Sequence, residues 1–83
     1  MNDVNEQKVD EVVAKILKIS VGTISKDLTP HRVQNWDSLN HLTLIASLEE
    51  EFAIEIEPEE IIEMYKGYDI VRSIVLKKLS AKV

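Results

Sequence analysis

The sequence predicts an all-α fold: a small four-helix bundle of three longer helices and one short helix, with a long loop between helices one and two. Three observations carry that expectation. Apolar residues recur at three-to-four-residue spacing in three separate stretches, the period of an amphipathic helix. The one alternating stretch, Ile54-Glu55-Ile56-Glu57, has no second strand to pair with. Capping and breaking residues fall between the periodic stretches.

The first helix carries Val9, Val12, Val13, Ile16 and Leu17 on one face, with Lys8, Asp10, Glu11, Lys15 and Lys18 between them. Ser20-Val21-Gly22-Thr23 ends it. From there to Trp36 no helical period is sustained and Pro30 interrupts, so the stretch reads as a loop. Structureless loops of this length are uncommon in compact domains, and Val21, Ile24, Leu28, Val33 and Trp36 are expected to pin it over the bundle. Helix two runs from Ser38, with Leu39, Leu42, Ile45, Leu48 and Phe52 as its expected buried stripe. Asp37 suits its N-cap, where the carboxylate accepts from first-turn amides at the positive end of the helix dipole. A serine in the next position presents an exposed hydroxyl. Ile54 to Glu57 form a tethered loop, and Pro58 opens a short helix through Glu59, Glu60, Ile61, Ile62 and Met64 that stops near Gly67. Asp69 is expected to cap a last helix bearing Val71, Ile74, Val75 and Leu79, with Lys77 and Lys78 near its negative end.

Composition bounds the function. The 83 residues allow a single domain spanning 1–83, with 45% hydrophobic residues for one core and 30% charged residues for solubility. A net charge of -5 argues against nucleic-acid binding and favours basic partners. No apolar run approaches the ~20 residues of a membrane span, and Asn2-Asp3-Val4-Asn5-Glu6 is unlike a signal peptide, so a cytoplasmic location is expected. With no cysteine encoded, any thiol chemistry must come from a group outside the chain.

Asp37-Ser38-Leu39, followed by an amphipathic helix ending Leu48-Glu49-Glu50-Glu51-Phe52, resembles the acyl carrier protein family. The likeness covers nearly the whole chain, with Leu28-Thr29-Pro30 ahead of the motif and Ile54 to Ile61 leading into the third helix. The resemblance implies that Ser38, flanked by Asp37 and Leu39, carries a covalent 4'-phosphopantetheine arm. A separate phosphopantetheinyl transferase installs that arm from coenzyme A, and its thiol then holds acyl groups as thioesters. The protein itself is a substrate of its partners and catalyses nothing.

The same likeness implies docking of helix two against basic patches on acyl-loading and acyl-processing enzymes. Asn40, His41, Thr43, Ala46, Glu49 and Glu50 are the expected contacts, with the carrier acting as a monomer. Asn40 and Thr43 stand where carriers of fatty-acid synthesis are often acidic, and the outward apolar position is the small Ala46. These departures point to a dedicated carrier for polyketide, modified-sugar or peptide-type assembly. An unmodified helical interaction module, with Trp36 and the acidic face meeting a partner, is the alternative. A third reading pairs Ser38 with His41, one turn on, as a hydrolase; a dyad also needs an orienting group and oxyanion donors. His41 is otherwise an expected solvated helix-surface histidine. No His, Asp or Glu pair has dedicated zinc or calcium spacing, so no metal is expected.

Overall fold

A computed structural model describes residues 3–81. Among these residues the chain forms helices α1 (Asp3–Leu17), α2 (Ser38–Phe52), α3 (Pro58–Met64) and α4 (Tyr68–Ala81), with a 3₁₀ turn at Val21–Thr23 and no strand. This is the expected four-helix bundle with its long first crossover.

α1 buries Val9, Val13 and Leu17 completely and leaves Val12 and Ile16 half-buried, as its period requires. It stops when Lys18 turns into the left-handed region at φ 60 and the Ile19 amide reaches back to the Ala14 carbonyl at 3.0 Å. That backward bond satisfies a carbonyl left open by the helix end. The 3₁₀ turn is fastened by the Ser20 hydroxyl, which accepts from the Gly22 amide at 3.2 Å. Val21, expected to pin the loop, is 49% exposed on this turn, because three residues close it locally and none reaches the core.

The remaining pins hold. Val33 and Trp36 are buried, and Ile24 and Leu28 lie against the core. The loop is also fastened by polar bonds: Asn35 Nδ2 donates to the Leu17 carbonyl at 3.0 Å, and the Tyr68 amide donates to the Leu28 carbonyl at 2.9 Å. Each bond removes an otherwise unpaired loop group, so the crossover is closed against the bundle at Leu28 and at Asn35.

α2 departs from expectation in the rotation of its buried stripe. Its buried residues are His41, Leu44, Ile45, Leu48 and Phe52, whereas Leu39 is 73% and Leu42 56% exposed. The reason is geometric. Successive steps of three residues lag behind a 3.6-residue turn, and at ~100° per residue the nine residues from Leu39 to Leu48 place them on opposite faces. α2 ends at Ala53, left-handed at φ 54, with the Ile54 amide bonded to the Glu49 carbonyl at 3.2 Å.

Beyond α2, Ile56 is buried and Ile54 packs beside it, tethering the loop as expected. α3 begins with Pro58 in its first turn, and the Glu57 amide donates to Glu60 Oε1 at 2.8 Å. α4 starts at Tyr68, so Asp69 lies inside its first turn and is not its cap. Gly67 sets that start: its carbonyl accepts from Val71 at 3.2 Å, and a Cβ there would meet the Leu28 carbonyl oxygen at 3.2 Å. Tyr68 is buried and its hydroxyl bonds Asp10, joining α4 to α1. Burial, then the Asp10 contact, pushes the Tyr68 phenol far above its ordinary range. Lys78 Nζ lies 2.8 Å from Glu60 Oε1 and ties α4 to α3. The Lys78 ammonium, foremost, and the Glu57 amide hold the Glu60 carboxyl below its usual range.

Candidate functional site

Ser38 is the first residue of α2 and is exposed. The residue before it is extended, Asp37 at φ -107 and ψ -179, and its Oδ1 accepts from the Asn40 amide at 2.8 Å. The expected N-cap is therefore formed. The Asp37 carbonyl accepts from the His41 amide at 2.8 Å, and Asn40 Nδ2 donates to the Asn35 carbonyl at 2.7 Å. Ser38 thus sits, exposed, on a turn fixed on both sides at the N-terminus of a 15-residue helix. The positive end of that helix favours an anion at this position.

Beside Ser38 lies an apolar groove of about 230 Å³ lined by Ser38, His41, Leu42, Ile61, Ile62 and Tyr65. Its outer members are exposed: Ile62 at 70% and Tyr65 at 37%, with Leu39 close by in sequence. Ile62 and Tyr65 were not foreseen here. A helix of seven residues gives too short a period to assign its outward face, and nothing in the chain's order brings α3 next to Ser38.

The floor of the site is built on His41. The expectation of a solvated, partner-facing histidine is overturned: His41 is 4% exposed. Its Nδ1 accepts from the Trp36 indole N–H at 3.1 Å, and its Nε2 lies 2.8 Å from the Ile61 carbonyl. The ring turns inward because α2 needs a residue there that faces the core and pairs two buried polar groups. Tyr65 packs against it with ring centroids 4.8 Å apart and donates its hydroxyl to the Trp36 carbonyl at 3.4 Å. Burial lowers the affinity of His41 for a second proton, opposed in part by the Ile61 carbonyl. With both nitrogens engaged, His41 has no atom free to take a proton from Ser38, which removes the base from the hydrolase reading.

The other expected contacts on α2 divide. Thr43, Ala46 and Glu50 are exposed, and Asn40 is half-buried. Glu49 is half-buried too, with Oε2 accepting from the Ile56 amide at 2.9 Å. Among the described residues no group of three or more His, Cys, Asp or Glu side chains could hold a metal ion. No helix among them is long and apolar enough to cross a membrane.

A family model described as a phosphopantetheine attachment site matches residues 7–67, a span that holds α1 from Gln7 onward, the crossover, α2 and α3. An acyl carrier protein of Buchnera aphidicola subsp. Schizaphis graminum is 40% identical over 60 residues, covering 72% of this chain and 75% of that protein. The chain belongs to the acyl carrier protein family. It is a carrier and not an enzyme, and phosphopantetheine is its prosthetic group. The carrier's fold is also that of a holo acyl carrier protein from Geobacter metallireducens, solved by NMR. The two align with a TM-score of 0.81 at 23% identity, over 99% of this chain and 91% of the other.

Proposed function

We propose that Ser38 is the attachment residue and that the carrier serves a specialised assembly pathway, of polyketide, modified-sugar or peptide type, in the cytoplasm. The observation that carries the first part is the setting of one hydroxyl: exposed, opening a 15-residue helix, directly after a capping carboxylate. A phosphodiester there gains from the helix dipole. The groove beside it offers an apolar wall to the arm. The attached group supplies the thiol that the chain lacks; the chain supplies its position.

For the second part, the run from Leu39 to Leu48 has no ionised side chain, and the first acidic residue after Ser38 is Glu49. A partner meeting this surface encounters Leu39, Leu42, Thr43 and Ala46, with negative charge displaced to Glu50 at the far end of α2. Partners selected by dense charge next to the serine are disfavoured by that arrangement. A transferase, loading enzymes and processing enzymes with basic patches remain the expected partners, met by a monomer.

Incubation of the protein and its Ser38→Ala variant with coenzyme A, magnesium and a broad-specificity transferase tests the assignment. A single adduct mapped to Ser38 and absent from the folded variant is the expected result. An adduct on Ser20, Ser25, Ser47, Ser73 or Ser80 would overturn it.

A further inference from the structure

The polar bonds of His41 permit one protonation state. Nδ1 receives the Trp36 indole N–H, so it carries no proton; Nε2 faces a carbonyl, which has none to give, so it carries the ring's single proton. Neutral His41 therefore satisfies both neighbours at once. A second proton has only Nδ1 to occupy, and there it confronts a donor. The Trp36 bond must then break, while the Ile61 bond survives as an ion-assisted one. Trp36 is 2% exposed, so a displaced indole leaves a buried N–H without an acceptor unless the side chain shifts. Trp36 stands two residues before Ser38.

We propose that His41 is a positioning residue for chemistry at Ser38, a proton-sensitive clasp that in its neutral form holds Trp36, and with it the Asp37-Ser38 turn, against α3, and in its protonated form lets that turn go. The proposal rests on Ser38 being the attachment residue. Its reach follows from the surrounding bonds. The backbone of Trp36 receives the Tyr65 hydroxyl, so freeing the indole also loosens α3 where Tyr65 walls the groove. The charged surroundings leave the switch to His41 itself. Tyr65 faces the ring from the C-terminal end of α3 and its hydroxyl is engaged with the Trp36 carbonyl; the Asp37 carboxylate is engaged with the Asn40 amide, and Glu60 is paired with Lys78. No ionised side chain of α1, α2, α3 or α4 figures among the influences on its proton affinity, which are burial and the Ile61 carbonyl.

Nitrogen-15 NMR of the full chain decides the matter. Near neutral pH, His41 should show Nδ1 as the bare nitrogen and Nε2 as the protonated one. As pH falls from about 7.5 to about 5, the Trp36 indole N–H signal should move with the same midpoint as the His41 ring, below that of free histidine. His31→Asn should leave this transition intact. His41→Gln, whose amide can still accept from Trp36 and donate to Ile61, should abolish it. In transferase assays the ratio of wild-type to His41→Gln loading rates should fall about fivefold over that range, the worth of one net hydrogen bond. An indole signal that stays fixed while His41 titrates overturns the clasp, as does a transition that persists in His41→Gln. The wild-type titration stands alone should the variant not fold. Absence of any Ser38 adduct at every pH would instead count against the attachment assignment, leaving the NMR result to stand.

Discussion

Glu49 turns its carboxylate inward and Ile56 meets it: Oε2 accepts the Ile56 amide at 2.9 Å across the bend that follows α2. The residue next to it, Glu50, is exposed. Two neighbouring glutamates of one acidic run therefore have different tasks, the first closing a half-buried amide and the second offering charge to solvent.

Separate substitutions should show the division. Glu49→Ala is expected to cost about 1 to 3 kcal/mol, because the half-buried Ile56 amide loses its acceptor. Glu50→Lys should alter stability by no more than ~0.5 kcal/mol. In partner-dependent acyl transfer the order reverses: Glu50→Lys slows the reaction and removes part of its salt dependence. Urea titrations beside transfer rates across a salt series measure both. Equal stability of the two variants would remove the structural role of Glu49.

Stability should also depend on pH through His41. Its folded-state pKa lies below the ordinary 6.5, so the unfolded chain binds the proton more readily. Stability is then fully present above about 6.5, declines as pH falls below that value, and levels off once the folded histidine is itself protonated. Urea unfolding at a series of pH values, compared with His41→Gln, should show this component in the wild type alone. A wild-type curve parallel to that of the variant through this window would contradict the assignment.

Asp37→Ala removes the acceptor of the Asn40 amide and should cost ~1 kcal/mol. Its effect on Ser38 loading should exceed that loss, since the carboxylate adjoins the reacting hydroxyl. Single-turnover loading rates under conditions where the variant is fully folded test this. Rates equal to wild type would confine Asp37 to capping.

The rotated stripe of α2 yields a sharp contrast between two leucines. Leu48 is fully buried and its replacement by alanine should cost about 2 to 5 kcal/mol. Leu42 is 56% exposed and lines the groove beside Ser38, so Leu42→Ala should cost under ~0.5 kcal/mol while impairing transfer. Thermal unfolding of the two variants distinguishes the observed rotation from the alternative stripe. Similar losses in both would place Leu42 in the core.

Local signals made most of the fold legible. Val9, Val13 and Leu17 announced α1 and its buried face, Asp37 its role as a cap, Pro58 the start of α3, and Val71 and Val75 the inner side of α4. Ser38 stood out from its motif. What stayed hidden depends on partners distant in the chain. His41 bonds a carbonyl 20 residues on, and Tyr68 bonds a carboxylate 58 residues back. Neither pairing leaves a trace in spacing. The rotation of α2 was obscured for another reason: leucines occur on both faces, because the groove beside Ser38 is itself apolar. An outward hydrophobic patch looks like core to any reading based on hydrophobicity alone.

The asparagine at position 35 has a consequence for how such carriers can diverge. Its side chain is held by the carbonyl of Leu17 at the end of α1, and its own carbonyl accepts from the side-chain amide of Asn40 in the first turn of α2. The place of Ser38 is thereby referenced to α1 over a short polar path that bypasses Val21 to Asp27. Leu28 closes that bypassed stretch from its far side by its bond to Tyr68. Residues can be gained or lost in this span at a small entropic cost without displacing the serine. The crossover thus gives evolution a segment of adjustable length, set apart from the coordinates that partner enzymes must share.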